Sequence, residues 1–291
     1  MSIAELPQAG PHRRARLLVA PANLSGSVEH FYHFFFGYLL PFVEHCHGLR
    51  SSHRFALRDC GPMNRIFGQL DGFIIDVTPV HAVLSGIVGT THHRASMPRI
   101  IAPGFDAPNS YSLERFARIR RIVSRLYGAQ IAAHAARYGS AASERLVLLV
   151  DRGPPPPEHL APTTEIRSGG SERRSVPNMT EIHAAIAGRH DTLLVRLEEC
   201  SLFEQIFLFS RAWRVVAQHG AALAHLLWAR PDAGLIEILP NPDRLPPHRI
   251  KGAPYFSGLC ETLGLPRQVV EQDHDHAAVE PGAILAALDA G

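Results

Sequence analysis

Apolar positions divide the first half of the chain into short strands and two longer helices. Short apolar runs bounded by polar or turn-forming residues predict buried strands. The strand candidates are Arg16–Ala20, Arg54–Leu57, Gly72–Asp76 and Pro98–Ala102. Helices are predicted over Glu29–His45, which is rich in aromatic residues, and from Ser112 to about Arg137, where apolar residues recur at helical spacing.

The second half has a more regular pattern, in which strands and helices alternate with short loops. It opens on Leu146–Val150, an unbroken apolar run that predicts a strand buried on both faces. The stretch Pro154–Ser175 is rich in proline, glycine, serine and charge, and it predicts a mobile loop. The helices predicted beyond it are Asn178–Ala187, Leu202–Arg211, Ala221–Trp228 and Pro281–Leu288, and the strands are Leu193–Arg196, Trp213–Ala217, Gly234–Leu239 and Gln268–Glu271. This alternation predicts an α/β fold with a parallel sheet of Rossmann type.

The composition is that of an ordinary globular protein. Hydrophobic residues make up 46% of the 291 residues and charged residues 19%, and a net charge of +2 is too small to indicate a nucleic-acid partner. Lys251 is the only lysine, so nearly every cation is an arginine, whose planar guanidinium suits phosphate groups. This bias, together with the many alanines, is typical of a GC-rich bacterial genome.

The chain contains no segment that predicts secretion or insertion into a membrane. The longest apolar stretch, Phe31–Val43, is interrupted by polar and helix-breaking residues and is shorter than the ~20 residues of a bilayer span. The N-terminus lacks the apolar run of a signal peptide, and no two of the four cysteines have CxxC spacing. We therefore expect a cytoplasmic protein with free thiols and no transmembrane segment.

The segment that best indicates chemistry is the turn His219-Gly220-Ala221-Ala222, which follows a predicted strand. Its small residues let a ligand approach the backbone, and the N–H groups at the start of the next helix attract anions. In an open α/β sheet this turn lies at the carboxyl edge of the strands, where ligands bind. An ordinary tight turn with a satisfied histidine fits the same residues, because one glycine is a weaker indication than a full dinucleotide-binding motif.

Charged residues near this edge have two interpretations each. Glu237 interrupts an apolar strand, where a carboxylate is costly unless it is paired or binds something. It either accepts hydrogen bonds from sugar or ribose hydroxyls or pairs with a nearby arginine. Arg173 and Arg174 precede a helix start, and they either bind a diphosphate or form a solvated run of charge.

Several segments of the second half, taken together, resemble glycosyltransferase family 61. They are the strand Leu146–Arg152 that ends in arginine, the pair Arg173-Arg174 leading to Asn178, the pair Glu204-Gln205, the turn His219-Gly220-Ala221 and the strand Ile236-Glu237-Ile238. Their order and spacing across residues 145–240 match the family. In the first half, His30–Phe34 followed by Pro41 is similar to an aromatic segment of the family.

The resemblance implies a GT-B-like fold, in which two Rossmann-like halves face a central cleft. Residues 1–139 would form the acceptor side and residues 140–291 the side of the nucleotide-sugar donor. The implied reaction is an inverting transfer of a hexose or pentose from a nucleotide-diphosphate donor to an acceptor hydroxyl of a glycan or small molecule, with no metal or other cofactor. The residues implied to bind the donor and its diphosphate are Arg152, Arg173, Arg174, Asn178, Gln205, His219, Gly220, Ala221, Ala222 and Glu237.

The sequence departs from the family at Gly37, where the family often has an acid, and at His225, where it often has asparagine. The catalytic base is therefore open, with His33 and Glu29 as candidates, since histidine titrates near neutral pH. His33 also fits a core histidine on an aromatic helix. Loss of the acid also allows a second function, a catalytically inactive binding or assembly protein with the same fold.

The sequence argues against two other classes of enzyme. Histidine is abundant, with 18 residues, but neither His45-Cys46-His47 nor Asp273-His274-Asp275-His276 has the spacing of a zinc site. No metal site is predicted. The absence of a GxGxxG motif argues against a dehydrogenase.

Overall fold

The computed structural model describes residues 15–21, 28–79, 92–97, 100, 111–138, 144–155, 169–241 and 255–290. Strands in these residues form two parallel sheets, which confirms the predicted α/β class. The first sheet has the order β3-β2-β1-β4 and contains β1 (Ala15–Pro21), β2 (His53–Arg58), β3 (Ile74–Thr78) and β4 (His92–Met97). The second has the order β6-β5-β7-β8-β9 and contains β5 (Val147–Asp151), β6 (Thr192–Arg196), β7 (Arg214–Gln218), β8 (Gly234–Pro240) and β9 (Arg267–Gln272).

The helix that follows β1, here called α1, has three segments: α-helix Phe31–Phe34, a π-helical turn Phe35–Leu39, and α-helix Leu40–Cys46. Its phenylalanines at 34, 35, 36 and 42 are fully buried, so this helix contributes much of the core. The other helices of this half are α2 (Asn64–Phe67), α3 (Leu113–Ala133) and α4 (Ala135–Tyr138), with 3-10 turns at His47–Leu49 and Gly61–Met63. Ser112 caps α3 as predicted, since its side chain accepts a hydrogen bond from the Arg115 N–H.

The helices of the second half are α5 (Gly170–Arg173), α6 (Met179–Ala187), α7 (Leu202–Arg211), α8 (Tyr255–Leu263) and α9 (Pro281–Asp289), with 3-10 segments at Leu197–Glu199 and Ala221–Trp228. Helix α7 begins at a capping box, in which the Ser201 hydroxyl accepts from the Glu204 N–H at 3.1 Å and the Glu204 carboxylate accepts from the Ser201 N–H at 3.3 Å. Glu204 thus has a structural role at the helix start.

The second sheet is covered on both faces, because its side chains alternate. Leu148 and Val215 face one hydrophobic core, whereas Val147, Leu149 and Val216 face a smaller one formed with α6 and α9. The larger core is shared by the two sheets, since it also contains aromatic residues of α1 and α3. The sheets lie on either side of the boundary predicted near residue 140, and the division into two domains stays a prediction.

Three local predictions differ from the structure. The region predicted as a loop over Pro154–Ser175 contains the short helix α5, and residues 156–168 lie outside the described part of the chain. Most of the predicted strand Pro98–Ala102 also lies outside it; Ile100 is not in a strand, and the strand that completes the first sheet is β4. The segment Ala221–Trp228 is a 3-10 helix. Among the described helices, none is both long and apolar enough to cross a membrane.

Candidate functional site

A cavity of about 320 Å³ lies beyond the carboxyl ends of strands of the second sheet, and residues of the first half also line it. In the second sheet, the chain leaves β5 to form β6 on one side and β7 on the other, which opens a crevice where the strand order reverses. Residues that follow β5, β6 and β7 line the cavity there, and the first half contributes His30, Phe31, Tyr32, His33, Met63 and Arg65. The position is the one that open α/β sheets use for ligands.

Three arginines from two loops converge next to the end of β7. Arg152 directly follows β5, and Arg173 and Arg174 lie at the end of α5. The Arg152 Nη1 donates a hydrogen bond to the His219 carbonyl at 3.3 Å, and the Arg174 Nη1 donates to the same oxygen at 2.6 Å. Arg174 is only 8% exposed and its Nε lies 3.5 Å from Asp275. The guanidiniums of Arg152 and Arg174 are thus held in place before any ligand binds, as anion recognition requires.

The charge of the cavity lining is positive. Its guanidiniums are those of Arg65, Arg152, Arg173 and Arg174, and its carboxylates are those of Asp151 and Glu198. Asp151 is already engaged, because its carboxylate accepts from the Arg196 Nε at 3.2 Å and from the Arg152 backbone N–H at 2.8 Å. The remaining excess of positive charge suits a polyanionic ligand.

Gly220 is required for steric reasons at the centre of this cluster. A Cβ atom at this position would lie 2.5 Å from the Arg152 Nη1, closer than any real contact. Its backbone is extended, with φ 169, so the glycine is needed for space and not for backbone freedom. The atom that would have to move is the far end of a flexible side chain, and a larger residue would therefore displace the Arg152 guanidinium rather than the fold.

A second glycine places the arginine loop against β5. Gly170 has φ +51, and a Cβ there would lie 2.5 Å from the Gly153 carbonyl oxygen. The Ser171 N–H donates to that same carbonyl at 2.8 Å, and the Ser175 N–H donates to the Asp275 carbonyl at 2.8 Å. Helix α5 is thereby fixed at both ends beside the cavity.

The His219 side chain forms a hydrogen-bonded chain that runs away from the cavity. Its Nδ1 lies 2.5 Å from Oε1 of Glu237, and the Arg267 Nε donates to Oε2 of the same carboxylate at 2.6 Å. Glu237 is 1% exposed. Burial opposes its ionisation, but the hydrogen bonds and charges of His219 and Arg267 outweigh this and lower the pKa of the Glu237 carboxyl. Arg267 is the arginine partner that one interpretation of the sequence gave Glu237. Glu237 itself does not line the cavity, but its hydrogen-bond partner His219 does.

The structure brings most of the predicted site residues together. The predicted residues that line the cavity are His33, Arg152, Arg173, Arg174, Gln205, His219, Gly220, Ala221 and Ala222. Glu29, Asn178 and Glu237 do not line it. Asn178 binds the backbone of Val279 instead, donating to its carbonyl at 2.8 Å and accepting from its N–H at 3.0 Å. Glu29 lies beside Gly61, and the catalytic role of either His33 or Glu29 stays a prediction.

Glu198 is a residue of the lining that the sequence analysis missed. It follows β6 in the 3-10 turn Leu197–Glu199, and burial raises the pKa of its carboxyl. Its Oε1 is buried and has no hydrogen-bond partner in the described residues. The Gln205 side chain holds this turn by donating to the carbonyls of Leu197 and Cys200 at 2.8 and 3.1 Å. The available signal was an acidic pair, Glu198-Glu199, shortly after the predicted strand Leu193–Arg196.

Aromatic side chains form part of the cavity lining. The rings of Tyr32 and Tyr255 meet edge to face with centroids 5.2 Å apart, and Phe256 lies edge-on to His219 at 5.2 Å. The hydroxyls of Tyr32 and Tyr111 lie 2.6 Å apart, and Tyr111 donates to the Tyr255 carbonyl at 3.2 Å. Helix α8, which the sequence analysis did not predict, supplies Tyr255 and Phe256. Such flat apolar faces suit a sugar ring or a nucleobase.

In the described residues, no three side chains of histidine, cysteine, aspartate or glutamate cluster as metal ligands. A search of curated proteins found no match. A family model does match the chain, over residues 31–236, which is more than half of its length and contains most of the cavity lining. On the strength of this match the protein belongs to the family described as glycosyltransferase 61.

Proposed function

We propose that the protein is an inverting glycosyltransferase that moves a hexose or pentose from a nucleotide-diphosphate sugar to an acceptor hydroxyl of a glycan or small molecule. The observation that carries this proposal is that Arg152, Arg173 and Arg174 line one cavity beyond the ends of β5 and β7, and that Arg152 and Arg174 both bind the carbonyl of His219. A diphosphate is the part of such a donor that this charge and this geometry suit best. Family membership supports the transfer of a glycosyl group.

The proposal includes a GT-B-like arrangement of two halves. Residues 140–291 would bind the donor, since the arginines and the strand-order reversal lie there. Residues 1–139 would bind the acceptor, through the start of α1, which contributes His30 to His33. Two parallel sheets support this division, because residues of both halves line the cavity and the carboxyl edge of such a sheet is a ligand-binding edge.

The chemical step would be a single displacement at the anomeric carbon. The acceptor oxygen forms a bond to this carbon while the bond to the diphosphate oxygen breaks and its electron pair leaves with the diphosphate. The three guanidiniums would stabilise the charge that develops on the leaving group, and removal of one such donor commonly costs ~10²–10³-fold in rate. With these cations in place, we propose that no metal is required.

Gly220→Ala tests the role of the cluster without removing a charged residue. We expect the added methyl to displace the Arg152 guanidinium, and so to weaken nucleoside-diphosphate binding by roughly tenfold or more while the unligated melting temperature stays nearly unchanged. The measurements are the thermal shift given by a panel of nucleotide sugars, followed by calorimetry and product detection in EDTA with the donor that binds. A saturating donor at 100 times its Kd should stabilise the wild type by about 2.7 kcal/mol.

Gly188→Ala is the matched control, since Gly188 lies after α6 and no described atom approaches within 4 Å of a Cβ placed there. Equal donor affinity of the two variants and the wild type would remove Arg152 from the site. If no nucleotide sugar stabilises the wild type and no sugar is transferred, the proposed function is wrong.

A further inference from the structure

The backbone and the imidazole of His219, a residue of the cavity lining, are both held by several contacts. Its backbone N–H donates to the Ile238 carbonyl at 2.8 Å, and its carbonyl accepts from Arg152 and Arg174. The ring packs edge-on against Phe256 and binds Glu237 through Nδ1. Backbone and ring are therefore both held, and the ring keeps one direction relative to the cavity.

The contacts of Glu237 fix which ring nitrogen of His219 bears a proton. Arg267 holds one carboxylate oxygen at 2.6 Å, and the hydrogen bonds from His219 and Arg267, together with the Arg267 charge, keep the carboxyl ionised despite burial. An ionised carboxylate is an acceptor only, so the hydrogen in the 2.5 Å contact must lie on Nδ1. In the neutral imidazole Nε2 is then an acceptor, and the His219 side chain, 24% exposed, belongs to the cavity lining.

We propose that His219 is the catalytic base, and that Glu237 and Arg267 are its positioning residues. This inference rests on the proposed function. The His219 Nε2 takes the proton of the acceptor hydroxyl as its oxygen bonds to the anomeric carbon and the diphosphate leaves with the electron pair of the broken bond. The proton ends on the imidazole, whose positive charge Glu237 stabilises through Nδ1, and it passes to water after product release.

The same geometry distinguishes this role from simple binding of phosphate. A histidine that binds phosphate donates from Nε2, whereas a base accepts there. The charged and titratable groups around His219 are Glu237, Arg267, Arg152, Arg174 and, behind Glu237, Cys260. The negative charge of Glu237 is therefore balanced by the positive charge of Arg267. Two more guanidiniums, those of Arg152 and Arg174, lie at the His219 carbonyl.

Glu237→Gln separates the two roles. Arg267 still needs an acceptor, so it holds the amide oxygen and turns the amide NH₂ towards His219. The amide then donates to Nδ1, which forces the ring proton onto Nε2. We expect kcat to fall by ~10²–10⁴-fold, the contribution of a general base. The Kd of the nucleoside diphosphate, by calorimetry, should remain within about twofold, because the cavity keeps its guanidiniums and gains a donor.

His219→Gln gives an independent readout in case Glu237→Gln folds poorly. In the wild type, kcat should decline on the acid side as the base becomes protonated, and this limb should be absent from the residual activity of His219→Gln. His183→Gln is the matched control, since His183 lies on α6 and pairs with Thr192 at 2.9 Å, away from the cavity.

These experiments distinguish failure of the proposed function from failure of the inference about His219. A wild type that transfers no sugar speaks against the proposed function. An active wild type overturns the inference alone if His219→Gln keeps its acid limb or most of its kcat, or if the acid limb disappears in His33→Gln instead. The inference is also overturned if Glu237→Gln loses affinity for the diphosphate in proportion to its loss of rate, because His219 would then bind phosphate and move no proton.

Discussion

At the scale of single residues, His225 shows how a polar side chain can be confined in an apolar core. It is 0% exposed, and neither ring nitrogen has a hydrogen-bond partner in the described residues. Its ring stacks on Phe31 at 4.9 Å and lies 5.3 Å from both Phe35 and Phe209. Burial lowers the pKa of His225 to about 3. The ring is thus neutral in the folded protein and contributes as an aromatic surface.

His225→Leu should make the protein less sensitive to acid. The unfolded histidine titrates near 6.5 and the folded one near 3, so between these values the unfolded state binds the extra proton and stability falls as the pH falls. Protonation of this histidine in the unfolded state should alone lower the free energy of unfolding by about 3 kcal/mol at pH 4 relative to pH 7. Urea unfolding at both pH values should show a smaller difference for His225→Leu by about this amount.

The control for this experiment is His274→Leu, which removes an exposed histidine. Its stability should change with pH as that of the wild type does. An equal pH dependence in His225→Leu and the wild type would mean that His225 is protonated without cost, and so is not confined as the structure has it.

Residue-level prediction from the sequence succeeded where topology alone decides position. Arg152 and His219 directly follow buried parallel strands, and the carboxyl ends of such strands meet at one edge. The sequence did not predict the direction in which side chains point. The family resemblance implied that Asn178 belongs to the site, yet its amide binds Val279, about a hundred residues further along the chain. Contacts of such long range leave no local pattern.

At the scale of elements, glycines have opposite effects according to the backbone they occupy. Gly37 lies inside the π-helical turn of α1, and Gly264 follows the last residue of α8. No described atom lies within 4 Å of a Cβ placed at either. Gly264 has φ +69, and the Leu265 N–H donates to the Cys260 carbonyl at 2.9 Å, as in a Schellman helix end. Gly37 is not among the glycines with positive φ.

Gly37→Ala should stabilise the protein by about 0.5–1 kcal/mol, because an alanine loses less backbone entropy in a helix and meets no neighbour there. Gly264→Ala should destabilise it by roughly 1 kcal/mol, because the left-handed conformation is unfavourable for a residue with a Cβ. Both free energies of unfolding are measured with denaturant. Each variant is the control for the other, because both replace a glycine with an alanine. Two shifts of the same sign would contradict the backbone assigned to one of these elements.

The sequence predicted helices and strands well where their own apolar pattern is strong. It predicted them poorly where hydrogen bonding to a neighbouring strand stabilises the element. Helix α7 was predicted with the bounds that it has, Leu202–Arg211, since a capping serine and a dense apolar face define it locally. Strand β4 was missed, because His92–Met97 is mostly polar and has no strand pattern of its own. It takes the outer position of the first sheet by pairing with β1, a strand that lies over 70 residues earlier in the chain. An outer strand tolerates polar residues that a central one does not.

At the scale of the whole molecule, the two sheets are joined through their core. The rings of Tyr127 on α3 and Phe203 on α7 lie 4.6 Å apart, and the Leu202 N–H donates to the Gln69 side chain at 2.7 Å. The Arg65 Nη1 also donates to the Glu198 carbonyl at 3.4 Å, at the edge of the cavity. A GT-B-like division predicts two units, whereas a shared core predicts that neither unit keeps its packing when the other unfolds.

We therefore expect the chain to unfold in one cooperative transition, and Phe203→Ala to lower its midpoint without splitting it. Phe203 is 7% exposed, and such truncations cost 3–5 kcal/mol, on the order of 10 °C for a domain of this size. Both tryptophans, Trp213 and Trp228, lie in the second half, so their fluorescence reports on that half while far-ultraviolet circular dichroism reports on both. Val269→Ala, at a side chain that is 46% exposed, should barely move the midpoint. If the fluorescence and dichroism midpoints separate in the wild type, the halves unfold independently and the core between them contributes little; if they coincide in both variants, a ligand bound at the junction must stabilise the two halves together.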